Sequence, residues 1–543
     1  MSDVLVVHQI ATMTNVSSLG VSSPAVSSSV PTDKATTPAS NSSGQNTTQS
    51  VTTVTLGQSG AGSAQIYTLP AVKPPPPPVW EKTSTDAVSK LMAGNNNALP
   101  LALRFKDLGA ALLGRFDTEA SNFSQSVMQF AAGMAPGNLM ETTMQSQLHK
   151  TPDNQITLNI QTVGGAQVEL TLGSTDTGLA VDVKVAKGAL SDGDRAALSK
   201  LSGAFQKAID GLAANPPHMD LAGLTQFDTT VLASVDLHAS VKVGGDSQVI
   251  DFHADSKSRS VNSSGPMGAM KVAVDMSNPA ILGNARQQAQ AIAGYLKQFD
   301  YEQTRGHGDP SLMAMFKDAF SEMNSNYPAT QQQAGMPGVF KLNAEDHSVL
   351  TGLADFTASV TQNSQFTNPM HGNESDSFAY DVSQNSTVKG NGQLNRAITQ
   401  RQQSHLSASY HESLIPGLPL RLTTDKNSQN YRYTQIDDRA SSEANIAYSL
   451  GALTRASLTQ SASQSTRVQK YVMGNLESDV TTPSSSTWVM DYLKQFKAAQ
   501  SGDNKRTSLD AYGWEQTLAS INSMVVFQVD PAQLSGRKST SSQ

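Results

Sequence analysis

Two aspartates and two histidines on one short hairpin are the residues whose types and spacing point most directly to chemistry. Around Gly244-Gly245 the chain reads VDLHASVKVGGDSQVIDFHAD. A two-residue turn at the glycines pairs Leu237 with Phe252 and Ala239 with Ile250, which gathers the apolar residues on one face. On the other face Asp236 then opposes His253, and His238 opposes Asp251, with Asp255 beside them. Imidazoles and carboxylates at that spacing could ligate a divalent metal through nitrogen and oxygen. They could also raise each imidazole's proton affinity and form a pH-sensitive patch. The plainer reading is a solvated sheet face with complementary cross-strand pairs. Asp236, His238, Asp251 and His253 are therefore the candidate metal ligands; no other cofactor is indicated.

Other chemistry-bearing residues form weaker patterns. His307 lies between two glycines in Arg305-Gly306-His307-Gly308-Asp309, which fits a catalytic or anion-binding loop, or a turn with Asp309 capping the next helix. His371, Glu374 and Asp376 form a loose loop cluster. His411-Glu412 does not extend to HExxH, because Ile415 stands where the second histidine belongs. Residues 57–61, GQSGA, miss the GxSxG elbow at the last position. No GxGxxG follows a strand pattern and no Walker A sequence is present. The chain has no cysteine, which excludes disulfides, thiolate metal sites and a cysteine nucleophile.

These residues must be held by elements whose periodicity can be read. Residues 154–301 look like one unit written twice, each copy strand, strand, strand, helix. Val163-Gly164-Gly165 and Val243-Gly244-Gly245 occupy matching places. In the first copy a loop over Gly164, Gly165 and Ala166 is expected to pair Ile160 with Leu170 and Leu158 with Leu172. Ser191 with Asp194 predicts a helix start, as do Asn278-Pro279 and Asp309-Pro310. Leu101, Phe105, Leu108 and Leu112, then Phe123, Val127 and Phe130, then Met140, Met144 and Leu148 recur at helical spacing. Val349, Leu353, Phe356 and Val360 predict a further helix. From Ser375 to Met473 apolar residues alternate with Ser, Gln, Asn, Arg and Asp, as in long antiparallel strands with one wet face. Trp488, Tyr492 and Phe496, then Trp514, Leu518, Ile521 and Val525, predict two closing helices.

The fold expected from this reading is α+β. A duplicated βββα unit over residues 151–330, an antiparallel sheet with helices on one face, follows a short helical segment over 80–150. A linker and helix over 331–375, a β-rich region over 376–480 and C-terminal helices over 481–543 complete it. Residues 1–79 read as a disordered Ser/Thr-rich leader ending in five consecutive prolines, a stiff spacer.

The chain has 543 residues with Lys+Arg 38 against Asp+Glu 45, so it lacks the basic surplus that nucleic-acid binding uses. Charged residues are 15%, against about 25% in ordinary domains, and hydroxyls and amides replace them. No apolar run reaches the ~18 residues of a spanning helix. The segments PPPPPVWEKTSTDAVSKLM, RFKDLGAALLGRF, LSDGDRAALSKLSGAFQKAIDGL and YLKQFDYEQTRGHGDPSLMAMFKDAF resemble a family of cysteine-free, Ser/Thr/Gln-rich bacterial proteins. That resemblance spans residues 74–327 and implies no activity and no site residue. The expectation is a non-enzymatic bacterial protein, secreted or at the cell surface, acting on a protein partner. The alternatives are a metal-binding module or metal-dependent hydrolase built on the second hairpin, and a cytosolic scaffold.

Overall fold

A computed structural model describes residues 77–98, 101–118, 122–130, 137–214, 216–328, 341–501 and 508–539. The expectations for residues 1–76, which include the leader and most of the proline run, for the linker at 331–339 and for the last four residues lie outside them.

The described strands are β1 Val79–Trp80, β2 Phe123–Met128, β3 Asn154–Thr162, β4 Gln167–Thr175, β5 Gly178–Lys187, β6 Leu232–Val243, β7 Asp246–Asp255, β8 Ser258–Gly265, β9 Gly268–Asp275, β10 Asp355–Gln362, β11 Ser377–Gly392, β12 Asn395–Ser413, β13 Tyr431–Ser449, β14 Ala452–Val472 and β15 Asn475–Asp491. They form one 15-stranded sheet in the order β1-β2-β5-β4-β3-β6, and from β6 to β15 in sequence order. Every neighbouring pair is antiparallel, including the β3–β6 seam between the two expected units. The helices are α1 Ala87–Asn95, α2 Leu101–Arg104, α3 Leu108–Gly114, α4 Asn138–Lys150, α5 Asp192–Lys200, α6 Ser202–Leu212, α7 Ala285–Gly306, α8 Pro310–Met323, α9 Ala344–Ser348, α10 Leu493–Ser501, α11 Ser508–Asn522 and α12 Pro531–Ser535.

The α+β expectation with a duplicated βββα unit is thereby corrected. The segment read as the first copy has three strands, the segment read as the second has four, and both belong to the same sheet as the C-terminal strands. The missed strand, β8, reads SRSVNSSG. Its inner face carries Arg259, Val261 and Ser263, so only one large apolar residue marks it. Two expected helical stripes are strands. Phe123 and Val127 lie in β2, and Phe356 and Val360 lie in β10. A spacing of four residues falls on one face of a helix and also on one face of a strand, so the apolar positions alone do not choose. Trp488 lies within β15, near its end, instead of starting a helix.

The first hairpin is also shifted. Leu158 pairs with Leu170 and Ile160 with Val168, two residues from the expected register, which leaves each side chain on its expected face. Thr162 sets this turn. Its backbone N–H donates to Ala166 O at 2.9 Å and its hydroxyl accepts from Ala166 N at 3.1 Å, while Gly165 takes φ 87°. The second hairpin has the expected pairing, Leu237 with Phe252 and Ala239 with Ile250.

One inner row shows how the core is built: Val183, Leu170, Leu158, Leu237, Phe252, Val261, Val272, Ala358, Val382, Ser404, Ala440, Ala462 and Ser486 stand side by side on β5, β4, β3 and β6 to β15. Side chains are large at one end and shrink to Ala and Ser at the other. Leu198, Phe205 and Ile209 of α5 and α6, and Tyr295, Phe299, Phe316 and Phe320 of α7 and α8, bury against the large end and middle. Tyr295 meets Phe356 edge-on at 5.2 Å, and Phe299 meets Tyr380 at 5.6 Å. The capping residues expected at Ser191 and Asp309 are in place: Ser191 forms a capping box with Asp194, and Asp309 accepts from Leu312 N at 2.8 Å. Arg259 is buried without a carboxylate partner among the described residues. It donates instead to Asn326 O at 2.8 Å, Ser325 O at 2.5 Å and Thr225 O at 3.4 Å, closing the chain after α8.

Where the inner face thins, amides take over from apolar packing. Phe356, Gln384, Gln402, Ser442, Gln460 and Trp488 form another inner row. Gln384 accepts from Thr351 Oγ1 at 2.7 Å and donates to the carbonyls of Leu353 and Ala354, both at 3.1 Å. Gln400 accepts from Thr351 N at 2.8 Å. The irregular segments that cover this half thus have their backbone groups satisfied by sheet side chains, as burial requires.

Glu302 is an exception in this layer. It is 2% exposed on α7, beside an ion pair between Arg305 and Asp438. Burial, with Asp438 adding and Arg305 opposing, pushes its pKa up to about 8. In the unfolded chain the carboxyl ionises near 4.5. Between those values the folded state holds a proton that the unfolded state has lost, so this group lowers stability as pH rises from 4.5 to 8. Urea unfolding across that range should show Glu302→Gln losing less stability than the parent, by roughly 3–5 kcal/mol at pH 8. Equal slopes would show that Glu302 is not buried as described.

Candidate functional site

The face opposite the large core residues is polar from one side of the sheet to the other. A single row runs Ser124, Asp182, Thr171, Thr157, His238, Asp251, Asn262, Lys271, Ser359, Asp381, His405, Arg439, Ser463, Ser485, one residue from each strand from β2 to β15. The next row includes Glu169, Asn159, Asp236, His253, Ser260, Thr357, Ser383, Gln403, Ser441 and Ser461. Strand spacing of about 4.8 Å places each residue within reach of its neighbours.

The second hairpin contributes two of these neighbour pairs. His238 Nδ1 lies 2.7 Å from Asp251 Oδ1, and His253 Nδ1 lies 2.6 Å from Asp236 Oδ1. His253 Nε2 also faces Asp255 Oδ2 at 3.3 Å. Burial alone would lower the His253 pKa, but its bonds and charge interactions with Asp236 and Asp255 outweigh burial and raise it. Burial likewise pushes Asp255 up, yet the backbone N–H groups of Lys257 and Ser258, both at 2.7 Å, together with His253 hold it below its ordinary value. The four candidate ligands therefore stand as two side-by-side pairs, each imidazole turned to its own carboxylate. Among the described residues no three His, Asp or Glu side chains converge as a metal-holding group. As placed, each imidazole's Nδ1 is engaged by its own carboxylate.

The same pairing recurs elsewhere on this face. His405 Nε2 faces Asp437 Oδ1 at 3.2 Å, with Arg439 Nη1 2.9 Å from the same oxygen. Arg401 pairs with Glu443 at 2.8 Å, and Ser441 and Ser461 share a hydroxyl bond at 2.8 Å.

Sequence reasoning missed a site more enclosed than these pairs. His149, near the end of α4, reaches Asp182 on β5 with Nδ1 at 2.5 Å and Glu81 with Nε2 at 3.0 Å. Glu81 also accepts from Ser126 Oγ at 3.1 Å. His149 and Asp182 border a cleft of about 420 Å³ that is also lined by Lys82, Ser124, Thr157, Glu169, Thr171 and Lys184. The hydrogen bond to Asp182 raises the His149 pKa, burial opposes it, and Glu81 adds to the rise. With both ring nitrogens occupied, the imidazole acts as a clamp. It fixes α4 to the polar face, where Leu148 packs with Met128, Phe130 and Ala180. The partners are 33 and 68 residues away in sequence, so no local pattern announces them.

The loose cluster of His371, Glu374 and Asp376 is partly assembled. Glu374 and Asp376 meet His411, whose Nδ1 is 2.7 Å from Asp376 Oδ1 and whose Nε2 is 3.4 Å from Glu374 Oε2. Tyr431 donates to Glu374 at 2.6 Å and Asn368 donates at 3.1 Å. Burial pushes the Glu374 carboxyl up, but its donors Tyr431, Asn368, Tyr471 and His411 hold it below its ordinary value. His371 turns instead to the Tyr471 ring, 5.2 Å away. The His411 side chain is 1% exposed, which leaves no face for a substrate. This is the centre of a small aromatic core of Leu422, Tyr431, Tyr433 and Tyr471. His307 ends α7 at φ 56° and stacks on Tyr410 at 3.7 Å. Its flanking glycines let the turn approach Phe378, since a Cβ at Gly306 or Gly308 would lie within 2.9 Å of that ring. No helix among the described residues is long and apolar enough to cross a membrane.

No protein-family model, curated protein or solved structure matches this chain, so the site is read from its own geometry.

The His149 clamp has a definite pH sign. A folded pKa above the ordinary imidazole value of 6.5 gives stability that is complete below 6.5 and disappears as pH rises through the elevated value. As pH rises above 6.5 the parent should lose stability relative to His149→Gln in urea unfolding. Parallel curves would remove the clamp.

Proposed function

We propose that this chain is a non-catalytic binding protein, exported or surface-associated, whose working surface is the polar face of the sheet. The observation that carries this reading is the in-register row from Ser124 to Ser485. It presents hydroxyls, amides and interleaved charges on a hydrogen-bonded frame without a break in register along that row. A frame of that kind lowers the cost of ordering side chains when a partner docks. Hydroxyl and amide groups in rows suit a wet interface bridged by water.

The histidines support binding rather than proton transfer. His149, His238, His253 and His405 each face a carboxylate across a strand or from a helix. Those pairs are spread along the rows and do not meet at one reacting atom. The partner chemistry that fits is a protein surface of mixed charge. Export rests on composition: no cysteine, few charges and hydroxyl-rich strands.

A photo-crosslinking residue placed at exposed Thr357 or Gln403, in the native producing cells, should give one discrete adduct. The same residue at exposed Ala289 on α7 should give none. Adducts of equal yield at Ala289, or none on the sheet face, would overturn the platform. Fractionation of the same cells should place the chain in envelope or medium. A purely cytosolic chain would favour a cytosolic scaffold.

A further inference from the structure

The C-terminal segment after α11 is held as a peptide ligand would be. Residues 523–530 are irregular, yet Val525, Phe527 and Val529 are almost completely buried, at 0%, 1% and 2% exposure. Their backbone makes no strand pairing. The carbonyl of Val525 accepts from Gln402 Nε2 and Ser442 Oγ, both at 3.0 Å, and from Gln460 Nε2 at 3.3 Å. Gln460 also donates to Met524 O at 2.8 Å and Val526 O at 3.1 Å. Phe527 N donates back to Gln402 Oε1 at 3.3 Å. Val529 N donates to Gln298 on α7 at 3.2 Å, and Val529 O accepts from Gln464 at 3.2 Å. The segment lies in a channel with α7 on one side and the glutamine row on the other.

Two features of this arrangement separate recognition from ordinary packing. The amides are aimed at main-chain groups, which any extended peptide carries, while the apolar recesses select every second side chain. And the groups that hold the segment come from positions at least 64 residues away, from Gln298 to Gln464, so nothing in the contacts requires the segment to belong to the same molecule. Identical contacts made by another copy's segment cost little beyond association.

We propose that this channel is a recognition site for an extended peptide with apolar residues at alternate positions. Its second occupant is the C-terminal segment of another copy of this chain, so that copies link by exchanging segments. This lies on the inner side of the sheet and is independent of the polar-face platform.

The natural chain has no cysteine, so disulfide trapping is clean. A Cβ built at Gly294 would lie 3.3 Å from Val526 Cβ, close to disulfide spacing. Full-length chains carrying Gly294→Cys alone and Val526→Cys alone are mixed, held under mild oxidation and resolved without reductant. A covalent heterodimer is expected at least fivefold above a control mixture of Gly294→Cys with Thr357→Cys. A synthetic peptide of residues 523–535 should suppress it. The double variant in one chain should close an internal disulfide, which shows that the channel has formed. Heterodimer at the control level beside an internally closed double variant would overturn the exchange. A double variant that fails to close would overturn the channel itself.

Discussion

Register is the constraint on which this molecule depends. Antiparallel pairing continues from β1 to β15, and along the rows described each strand sets the same parity toward the same side. A slip of one residue between any two strands would send the inner side chains of every later strand to the wet face and the outer ones to the core. Asp437 and Asp438 show what parity decides. Asp438 lies in the core, paired with Arg305, and Asp437 lies outside with His405 and Arg439. Ser441 and Ser442 divide the same way: one joins a surface hydroxyl pair, the other donates to Val525 O. Residue type is the same in each case; only position along the strand differs.

A sheet this wide needs cover on its dry side, and the cover changes in kind along it. Against the large residues of β3 to β10, helices pack through Leu and Phe by apolar burial. Against the Ala, Ser and Gln positions of β12 to β14, cover comes from irregular chain whose backbone must be satisfied. Glutamine serves that end because one side chain both donates and accepts, and reaches past the small neighbours. The polar side requires no cover, and among the described residues most of it has none. Where it is covered, at α4 and at the aromatic core around His411, an imidazole between two carboxylates lies at the junction.

The parts legible in the sequence are those fixed by local chemistry. Gly244-Gly245 and the strict alternation of Leu237, Ala239, Ile250 and Phe252 leave one register for the second hairpin, and so its Asp/His pairs could be placed. Ser191 and Asp309 announce helix starts because a cap acts within three residues. The long strands after Ser375 show in their alternation. What failed had no local signal. β8 has a single large inner residue, β10 has a spacing that two periods share, and the first hairpin is set by the Thr162 side chain where the glycines suggested otherwise. That both units and the C-terminal strands share one sheet depends on the β3–β6 and β9–β10 seams, between segments far apart in the chain. The clamp at His149 and the glutamine row stayed hidden for the same reason, since Gln402 and Gln460 look like surface residues until the segment that lies on them is seen.

Cysteine scanning along β13 tests the two-faced sheet most directly, because the parent chain contributes no thiol background. Single cysteines at positions 437 to 446 would be timed against a bulky maleimide under native conditions. The account predicts strict alternation, with positions 437, 439, 441, 443 and 445 reacting rapidly and positions 438, 440, 442, 444 and 446 protected until the chain unfolds. Uniform reactivity, or a period near 3.6, would contradict it.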